Sequence, residues 1–204
     1  SLVEVFLIYL VVAVVGFFVA ECTKGSLIWK MLASDVFMTC LIFGVSVWKK
    51  NSSAYDAYWS VFPFFLWLWL FYATIDTEWH WQHFAAGSVV MFWSVRLTWN
   101  WARGWSGWQH EDWRYVNYRE RHRALFPFTN FFGIHLLPTL IVFLACLGLF
   151  SVATATSFKT SLLILGIAVA FFGTILELIA DNQLHDFKLK AGFKKGAVLN
   201  RGLW

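Results

Sequence analysis

The chain has 204 residues, of which 59% are hydrophobic and only 14% are charged, and its formal net charge is +4. This composition excludes an ordinary soluble domain, since soluble domains carry about 25% charged residues. The positive charge does not indicate nucleic-acid binding, because basic residues beside membrane spans are a topology signal. The three cysteines have no short spacing, so they indicate neither a zinc site nor a redox pair.

Six apolar stretches follow one another along the chain, each bounded by polar or charged residues. A helix needs roughly 20 mostly apolar residues to cross a bilayer, and these stretches are too long and too uniformly apolar for barrel strands. We therefore predict an all-α fold, a polytopic integral membrane bundle of about six transmembrane helices, formed by residues 1–204 as one domain. The stretches are residues 2–20, 26–48, 58–75, 81–99, 131–150 and 158–180.

The distribution of basic residues predicts an orientation in the membrane. An even number of spans places both termini and the second and fourth loops on one side. Twelve of the 16 Lys and Arg residues fall in these segments, whereas Lys24, Lys30 and Lys159 fall on the opposite side. The positive-inside rule therefore predicts that both termini are cytoplasmic. The membrane would be the endoplasmic reticulum in a eukaryote or the inner membrane in a bacterium.

The first informative polar segment lies between the second and third stretches. Asp56 is flanked there by Tyr55 and Tyr58. A carboxylate beside a phenol at the mouth of a helical bundle can act as a proton donor, one group orienting the other. The alternative is structural, because Ser53 or Asp56 is equally suited to cap a helix N-terminus.

The second informative segment follows the fourth apolar stretch and is rich in tryptophan. Arg96, Asn100 and Arg103 recur at spacings of four and three, which places them on one face of a helix. Arginine suits phosphate oxygens because its planar fork donates two parallel hydrogen bonds. The alternative is that these arginines reach toward lipid headgroups or pair with Glu111 and Asp112.

The third segment brings carboxylates to the end of the last apolar stretch. Glu177 and Asp181 are four residues apart and share a helix face, and Lys188 follows them. An ionisable residue at membrane depth is costly and marks a functional site by default. The same rule applies to Asp35 in the middle of the second stretch, although pairing with a neighbour would make it structural.

Other familiar chemistries lack support in the sequence. His80 and His83 have the spacing of half a metal site, but the chain has only six histidines, so we predict no metal. No glycine-rich nucleotide-binding loop and no Gly-x-Ser-x-Gly motif is present.

Four blocks of this chain resemble the steroid 5α-reductase-like membrane proteins, in particular the branch long filed as a domain of unknown function. The blocks are Tyr55–Pro63, Arg96–Trp105, His110–Tyr115 and Glu177–Lys188. The resemblance implies a seven-helix fold that binds NADPH from the cytoplasmic side. It also implies reduction of a carbon–carbon double bond conjugated to a carbonyl, in a sterol-like or other lipid.

The resemblance also implies roles for particular residues. Asp56 matches the family's glutamate, which polarises the substrate carbonyl together with a tyrosine. Trp93 stands where that tyrosine is expected, so Tyr58 or Tyr55 is expected to replace it. Asp181 matches the aspartate near the nicotinamide. The cofactor-binding residues implied in this way are Arg96, Asn100, Arg103, Glu177, Asp181, Gln183 and Lys188.

Beyond Trp204 the family continues with an Arg-His-Pro motif and a further helix, so the resemblance predicts either a fragment or a degenerate member. Two other functions remain open. One is a methyltransferase that uses S-adenosylmethionine and resembles the isoprenylcysteine carboxyl methyltransferases. The other is a non-catalytic, lipid-binding membrane protein. In each case the expected partners are the lipid bilayer and a lipid, and no nucleic acid.

Overall fold

The computed structural model describes residues 1–191 and 198–204. Within these ranges every regular element is helical and no strand occurs, which confirms the all-α prediction. Lys194 and Lys195, which contribute to the charge asymmetry, lie outside the described residues. The α-helices are α1 (Leu2–Cys22), α2 (Leu27–Lys49), α3 (Tyr58–Ala73), α4 (Trp81–Gly104), α5 (Trp113–Arg121), α6 (Phe126–Phe128), α7 (Leu137–Ala145), α8 (Leu147–Ala153) and α9 (Thr160–Ala191).

Four helical segments of the described chain are long and apolar enough to cross a membrane, namely α1, α2, the run Phe126–Ala153, and Thr160–Lys190 within α9. Many of their large apolar side chains are exposed, including Phe6, Phe18 and Phe172. Lipid is the environment that accepts such a surface. The chain is therefore a multi-pass membrane protein built as a helical bundle.

The other two predicted spans form helices that do not meet the same criteria. Helix α3 has 16 residues, a length of about 24 Å at 1.5 Å per residue, which is shorter than a hydrocarbon layer of roughly 30 Å. Its side chains are largely buried against other helices, among them Phe62, Leu66 and Trp69. Helix α4 is long enough, but its second half carries two arginines and an asparagine. Four of the six predicted spans thus meet these criteria of length and composition, and the membrane-spanning role of α3 and α4 stays a prediction.

Close helix approaches in the bundle depend on glycine at two positions. Gly16 of α1 packs against the side chain of Met38 in α2, and Gly87 of α4 packs against the ring of Trp67 in α3. A Cβ atom at either position would overlap these side chains. The small residue therefore lets the paired helices come close, as is common in membrane bundles.

The run from α6 to α8 is one irregular span. A π-helical segment, Thr129–Leu136, precedes α7, and Pro138 lies in the first turn of α7. Proline has no N–H to give to the carbonyl four residues earlier, so the preceding turn cannot keep regular α-helical bonding. The wider π turn directs Asn130 and His135 into the core, where both are buried.

The chain divides into two compact units, residues Ser1–Thr156 and residues Ser157–Trp204. The first unit contains α1 to α8 and the main apolar core. The second contains α9 and the C-terminal residues. Within it, the backbone N–H of Leu203 donates to Gln183 Oε1 at 2.8 Å, and Trp204 Nε1 donates to the carbonyl of Ala180 at 2.9 Å. The assignment of residues 1–204 to one domain stays a prediction.

Candidate functional site

Two of the polar segments singled out in the sequence meet at one end of the first unit. Asn51 caps a short 3₁₀ turn, Ser52–Tyr55, by accepting a hydrogen bond from the N–H of Ser53. Its amide nitrogen donates to the carbonyls of Trp108 and His110, at 2.9 and 3.0 Å. These contacts join the turn that precedes α3 to the loop that precedes α5.

Further hydrogen bonds hold the same loop in place. The N–H of Ser52 donates to Glu111 Oε1 at 2.7 Å, and the N–H of Asp112 donates to Ser53 Oγ at 2.8 Å. Arg119 of α5 forms an ion pair with Glu111 at 2.8 Å. Glu111 is largely buried. Its carboxylate therefore connects the 3₁₀ turn, through Ser52, to α5, through Arg119.

The central feature of this site is a carboxyl–phenol pair formed by Asp56 and Tyr115. The hydroxyl of Tyr115, in the first turn of α5, donates a short hydrogen bond to Asp56 Oδ1. Asp56 is part-buried and Tyr115 is buried. Burial raises the pKa of Asp56 to about 6, although the hydrogen bond from Tyr115 lowers it in part. Burial also raises the pKa of Tyr115, so the phenol keeps its proton at neutral pH.

Charged groups surround this pair on its exposed side. Asp112 caps α5 by accepting from the N–H of Arg114, and its carboxylate forms an ion pair with the Arg114 guanidinium at 2.8 Å. The Arg114 side chain is about half exposed. The Asp56–Tyr115 pair therefore lies between the apolar core and a charged, solvent-facing rim.

Tyr55 and Tyr58, expected to act with Asp56, form hydrogen bonds elsewhere. The Tyr55 hydroxyl lies 2.7 Å from Thr139 Oγ1, and the Tyr58 hydroxyl donates to Asp35 Oδ1 at 2.7 Å. The 3₁₀ turn and the start of α3 direct both rings into the core, whereas Asp56 faces α5. The expected pairing is therefore corrected, and the phenol that contacts Asp56 is Tyr115.

Trp93 stands where the resemblance expects a tyrosine, and α4 contains no tyrosine. Its ring packs against that of Trp59, with centroids 6.1 Å apart. Sequence reasoning did not identify Tyr115 as a site residue, although it lies in one of the resembling blocks. The only local signal was a tyrosine in a polar segment, since Tyr115 is 59 positions from Asp56.

The residues predicted to bind phosphate on α4 lie together as their spacing required. Arg103 donates to Asn100 Oδ1 from Nε at 2.9 Å and from Nη2 at 2.6 Å. Arg96, one turn earlier, is buried. Thr98 lies between them, and its hydroxyl is 2.9 Å from that of Ser60. This contact brings the basic half of α4 beside the start of α3, one turn from Asp56.

The remaining predicted cofactor residues lie in the second unit, on α9. Glu177 and Asp181 are one helical turn apart, Gln183 accepts the bond from Leu203, and Lys188 lies in the last turns of the helix and is exposed. The structure thus places all four residues on one helix, whereas the sequence predicted a common helix face only for Glu177 and Asp181.

The histidines that resembled half of a metal site have a structural role. His80 and His83 form a reciprocal cap at the start of α4, in which the N–H of His80 donates to His83 Nδ1 at 3.0 Å. No group of three or more His, Cys, Asp or Glu residues in the described part of the chain is arranged to hold a metal ion.

The fold and this site define a multi-pass helical membrane protein with a carboxyl–phenol pair at the polar end of its bundle. The chain belongs to the family of proteins of unknown function DUF1295, whose model matches residues 42–204. The uncharacterized protein C594.04c of the fission yeast Schizosaccharomyces pombe is 28% identical over 153 residues, which cover 72% of this chain and 44% of that protein. The chain thus matches less than half the length of this curated relative. No solved structure matches it.

Proposed function

We propose that this protein is an NADPH-dependent reductase of a conjugated carbon–carbon double bond in a sterol-like or other lipid. The observation that carries the proposal is the Asp56–Tyr115 pair. It supplies the acid and the phenol that the resemblance to the steroid 5α-reductases requires, and it does so although Trp93 replaces the expected tyrosine. Its place at the polar end of a membrane bundle suits a lipid whose reactive group lies near the headgroup level.

The pair is chemically suited to polarise a carbonyl oxygen. The Tyr115 hydroxyl keeps its proton at neutral pH and donates it to Asp56 in this structure; when Asp56 is itself protonated and donates to the Tyr115 oxygen, the phenol proton becomes available to a substrate carbonyl. Asp56, with its pKa raised to about 6 by burial, is close to the range in which a general acid works best. A hydrogen bond from either group withdraws electrons from a conjugated double bond and makes its far carbon electrophilic. Bound NADPH would supply the hydride for that carbon.

The donor chemistry of α4 fits a cofactor that carries phosphates. Arg103 and Asn100 present a guanidinium and an amide in a fixed arrangement, and Arg96 lies one turn away toward the core. A guanidinium matches phosphate oxygens with two parallel bonds. The second unit, taken by itself, carries Lys188, whose ammonium group suits a phosphate, and Asp181, whose carboxylate can accept hydrogen bonds from hydroxyls; the resemblance alone assigns these two residues to the cofactor.

The basic side of the bundle is proposed to face the cytoplasm, in the endoplasmic reticulum of a eukaryote or the inner membrane of a bacterium. Single cysteines placed beside Lys49 and beside Glu78 test this, in a background in which the native cysteines are replaced. Membrane-impermeant reagents are expected to label the two positions from opposite sides. Labelling of both positions from the same side would contradict the topology.

The experiment that tests the function is cofactor binding by the protein in its natural full length, purified in detergent or nanodiscs. NADPH, NADH and S-adenosylmethionine are titrated separately. The proposal predicts binding of NADPH in preference to NADH. Preference for S-adenosylmethionine would instead support a methyltransferase, and binding of none of the three would support a non-catalytic lipid-binding protein.

A matched pair of substitutions on α9 sharpens this test. Asp181→Asn is expected to weaken NADPH binding by about tenfold, the effect of one lost hydrogen bond to a charged group, while the thermal midpoint is kept. Asp186→Asn, on the same helix, is the control and is expected to leave affinity unchanged. Equal affinities for both variants would remove Asp181 from the cofactor site.

A further inference from the structure

Three unpaired cations lie at the polar end of the first unit, outside the candidate site. Lys50 directly follows α2, Arg121 is the last residue of α5, and Arg123 comes two residues later. All three are exposed. None of the ion pairs formed by the described residues includes them, whereas Arg119 beside them is paired with Glu111. We call Lys50, Arg121 and Arg123 the basic patch.

The basic patch joins the ends of two helices that are far apart in the sequence. Arg119 Nη1 donates to the carbonyl of Lys50 at 3.3 Å, so the end of α5 lies against the end of α2. Glu120 is the one acidic residue between positions 113 and 128. The patch therefore keeps a net positive charge, and its cations repel one another unless an anion binds among them.

The position of the patch along the chain keeps it close to the membrane surface. Lys50 follows one helix that is long and apolar enough to cross a membrane, and Arg123 is three residues before Phe126, where another such segment begins. Three residues reach about 10 Å at most, and the headgroup layer of one leaflet is roughly 5–8 Å deep. The three cations are therefore within reach of the lipid headgroups at this end of the bundle.

Large apolar side chains flank the basic patch. Trp48 and Trp113 are each 72% exposed, and Leu125 and Phe128 are also exposed. Tryptophan is enriched at the boundary between lipid and water, where its amphipathic ring lies among the headgroups. Cations mixed with exposed tryptophan, leucine and phenylalanine are typical of segments that lie in this boundary. The mixture favours a membrane surface over a soluble acidic protein as the partner.

We propose that the basic patch binds the phosphate groups of anionic phospholipids in the leaflet at this end of the bundle. The guanidinium groups of Arg121 and Arg123 each match phosphate oxygens with two parallel hydrogen bonds, and Lys50 adds an ammonium group. A zwitterionic headgroup carries its own cation, which weakens the attraction, so the expected lipids are those with net negative charge. This binding needs neither cofactor nor substrate and does not rest on the proposed reductase activity.

Native mass spectrometry of the protein in its natural full length, purified in detergent, tests the proposal. Phosphatidylglycerol and phosphatidylcholine of equal chain length are titrated separately, and the bound lipids are counted. The wild-type protein is expected to prefer phosphatidylglycerol by about tenfold or more, because each basic residue near an anionic group contributes roughly fivefold. Equal binding of the two lipids by the wild-type protein would overturn the proposal without any variant.

Charge removal locates the binding surface. Arg121→Gln combined with Arg123→Gln is expected to bring the two lipid affinities within about threefold of each other, and Lys50→Gln alone should lower the preference by about fivefold. Because these side chains are exposed and unpaired, the thermal midpoint without lipid should not change. A wild-type preference in the folded double variant would contradict the assignment.

The matched control removes the same number of charges from the other end of α2. Lys24→Gln combined with Lys30→Gln changes one residue before α2 and one in its first turn, and it is expected to keep the wild-type preference. An equal loss in this control would show that net charge alone selects the lipid, and it would overturn the assignment to the basic patch.

Soluble phosphate compounds are separated from lipid by competition. Neither inorganic phosphate nor NADPH, each added in excess over the lipid, is expected to displace phosphatidylglycerol. Displacement by inorganic phosphate would assign the patch to a free phosphate compound, and displacement by NADPH would assign it to the cofactor; either result would overturn the lipid proposal. Selective lipid binding by a protein that binds no NADPH would refute the reductase alone.

Discussion

The molecule contains two aspartate–tyrosine pairs of similar chemistry in different surroundings. Asp35–Tyr58 lies wholly inside the bundle, where its neighbours are hydroxyls and apolar side chains. Asp56–Tyr115 lies at the polar end of the same unit, with Asp56 part-buried and Asp112 and Arg114 beside it. The first pair has no exposed side, while the second lies next to a solvated rim.

This difference teaches that surroundings, and not residue types, separate a pair enclosed by the core from a pair that a ligand can reach. A buried pair without cations depends on internal hydrogen bonds, since water does not reach it. A part-buried pair exchanges with water and is open to a ligand. The same substitution in the two pairs is therefore expected to have different consequences, and the following predictions rank them by size.

The largest contrast is expected from lysine substitutions of the two aspartates. Asp35→Lys places an uncompensated charge in the bundle, which costs about 3–5 kcal/mol of folding free energy and is expected to prevent recovery of folded protein. Asp56→Lys can extend its ammonium group to the solvated rim and is expected to cost about 1 kcal/mol. Thermal midpoints and the yield of monodisperse protein in detergent measure both. Equal losses would mean that the two environments are alike.

Removing the phenols gives the next largest contrast. Tyr58→Phe leaves Asp35 without its donor and is expected to destabilise the protein by about 2–3 kcal/mol. Tyr115→Phe is expected to cost about 1 kcal/mol, since water can replace the lost donor at Asp56. Tyr72→Phe, at a half-exposed tyrosine of α3, is the control and should be nearly silent. The order would be reversed if the Asp56 pair were the structural one.

Substitution of Arg103 tests whether the cofactor binds in the first unit on the same side as the Asp56–Tyr115 pair. If its guanidinium meets the 2′-phosphate, Arg103→Ala should weaken NADPH binding by about 2 kcal/mol, roughly thirtyfold, and NADH binding much less. Arg123→Ala, at an exposed arginine of the same charged segment, is the control. Equal losses for both cofactors would move Arg103 to the diphosphate or to a structural role.

The smallest expected effect is the pH dependence of Asp56. Its pKa of about 6 lies above its unfolded value, so the stability it contributes is present below about pH 4 and is lost as the pH rises through 6. Asp56→Asn removes this dependence and is expected to stabilise the protein by about 1 kcal/mol at pH 8 and hardly at all at pH 4. Stabilisation that is equal at both pH values would contradict the raised pKa.

Much of the fold could be predicted because it depends on local pattern. The apolar stretches predicted the helices, and the spacing of Arg96, Asn100 and Arg103 predicted that these residues share one face of a helix. The short, buried α3 was predicted as a span from its apolar composition, which does not distinguish lipid from protein as the surrounding medium. The π turn before Pro138 also has no periodic signal in the sequence.

The site was predicted only in part for a related reason. The segments around Asp56 and His110 stood out by composition, but the partner of Asp56 is 59 positions away, and the contact between Thr39 and Thr139 spans 100 positions. Such pairs depend on how helices pack, which a single sequence does not encode in any local spacing. Tyr115 and the Asp35–Tyr58 pair therefore became visible only in three dimensions.

The most direct measurement of the central claim is turnover by the full-length protein in nanodiscs, with NADPH and a panel of lipids that carry a double bond conjugated to a carbonyl. We predict NADPH oxidation with at least one such lipid. For that lipid, Tyr115→Phe should lower kcat by roughly a hundredfold or more, the contribution of a positioned proton donor, and change KM little. Tyr55→Phe should lower kcat less. Full activity of Tyr115→Phe, or no NADPH oxidation by the folded wild-type protein with any lipid of the panel, would contradict the assignment of Asp56 and Tyr115 as the acid pair of a lipid reductase.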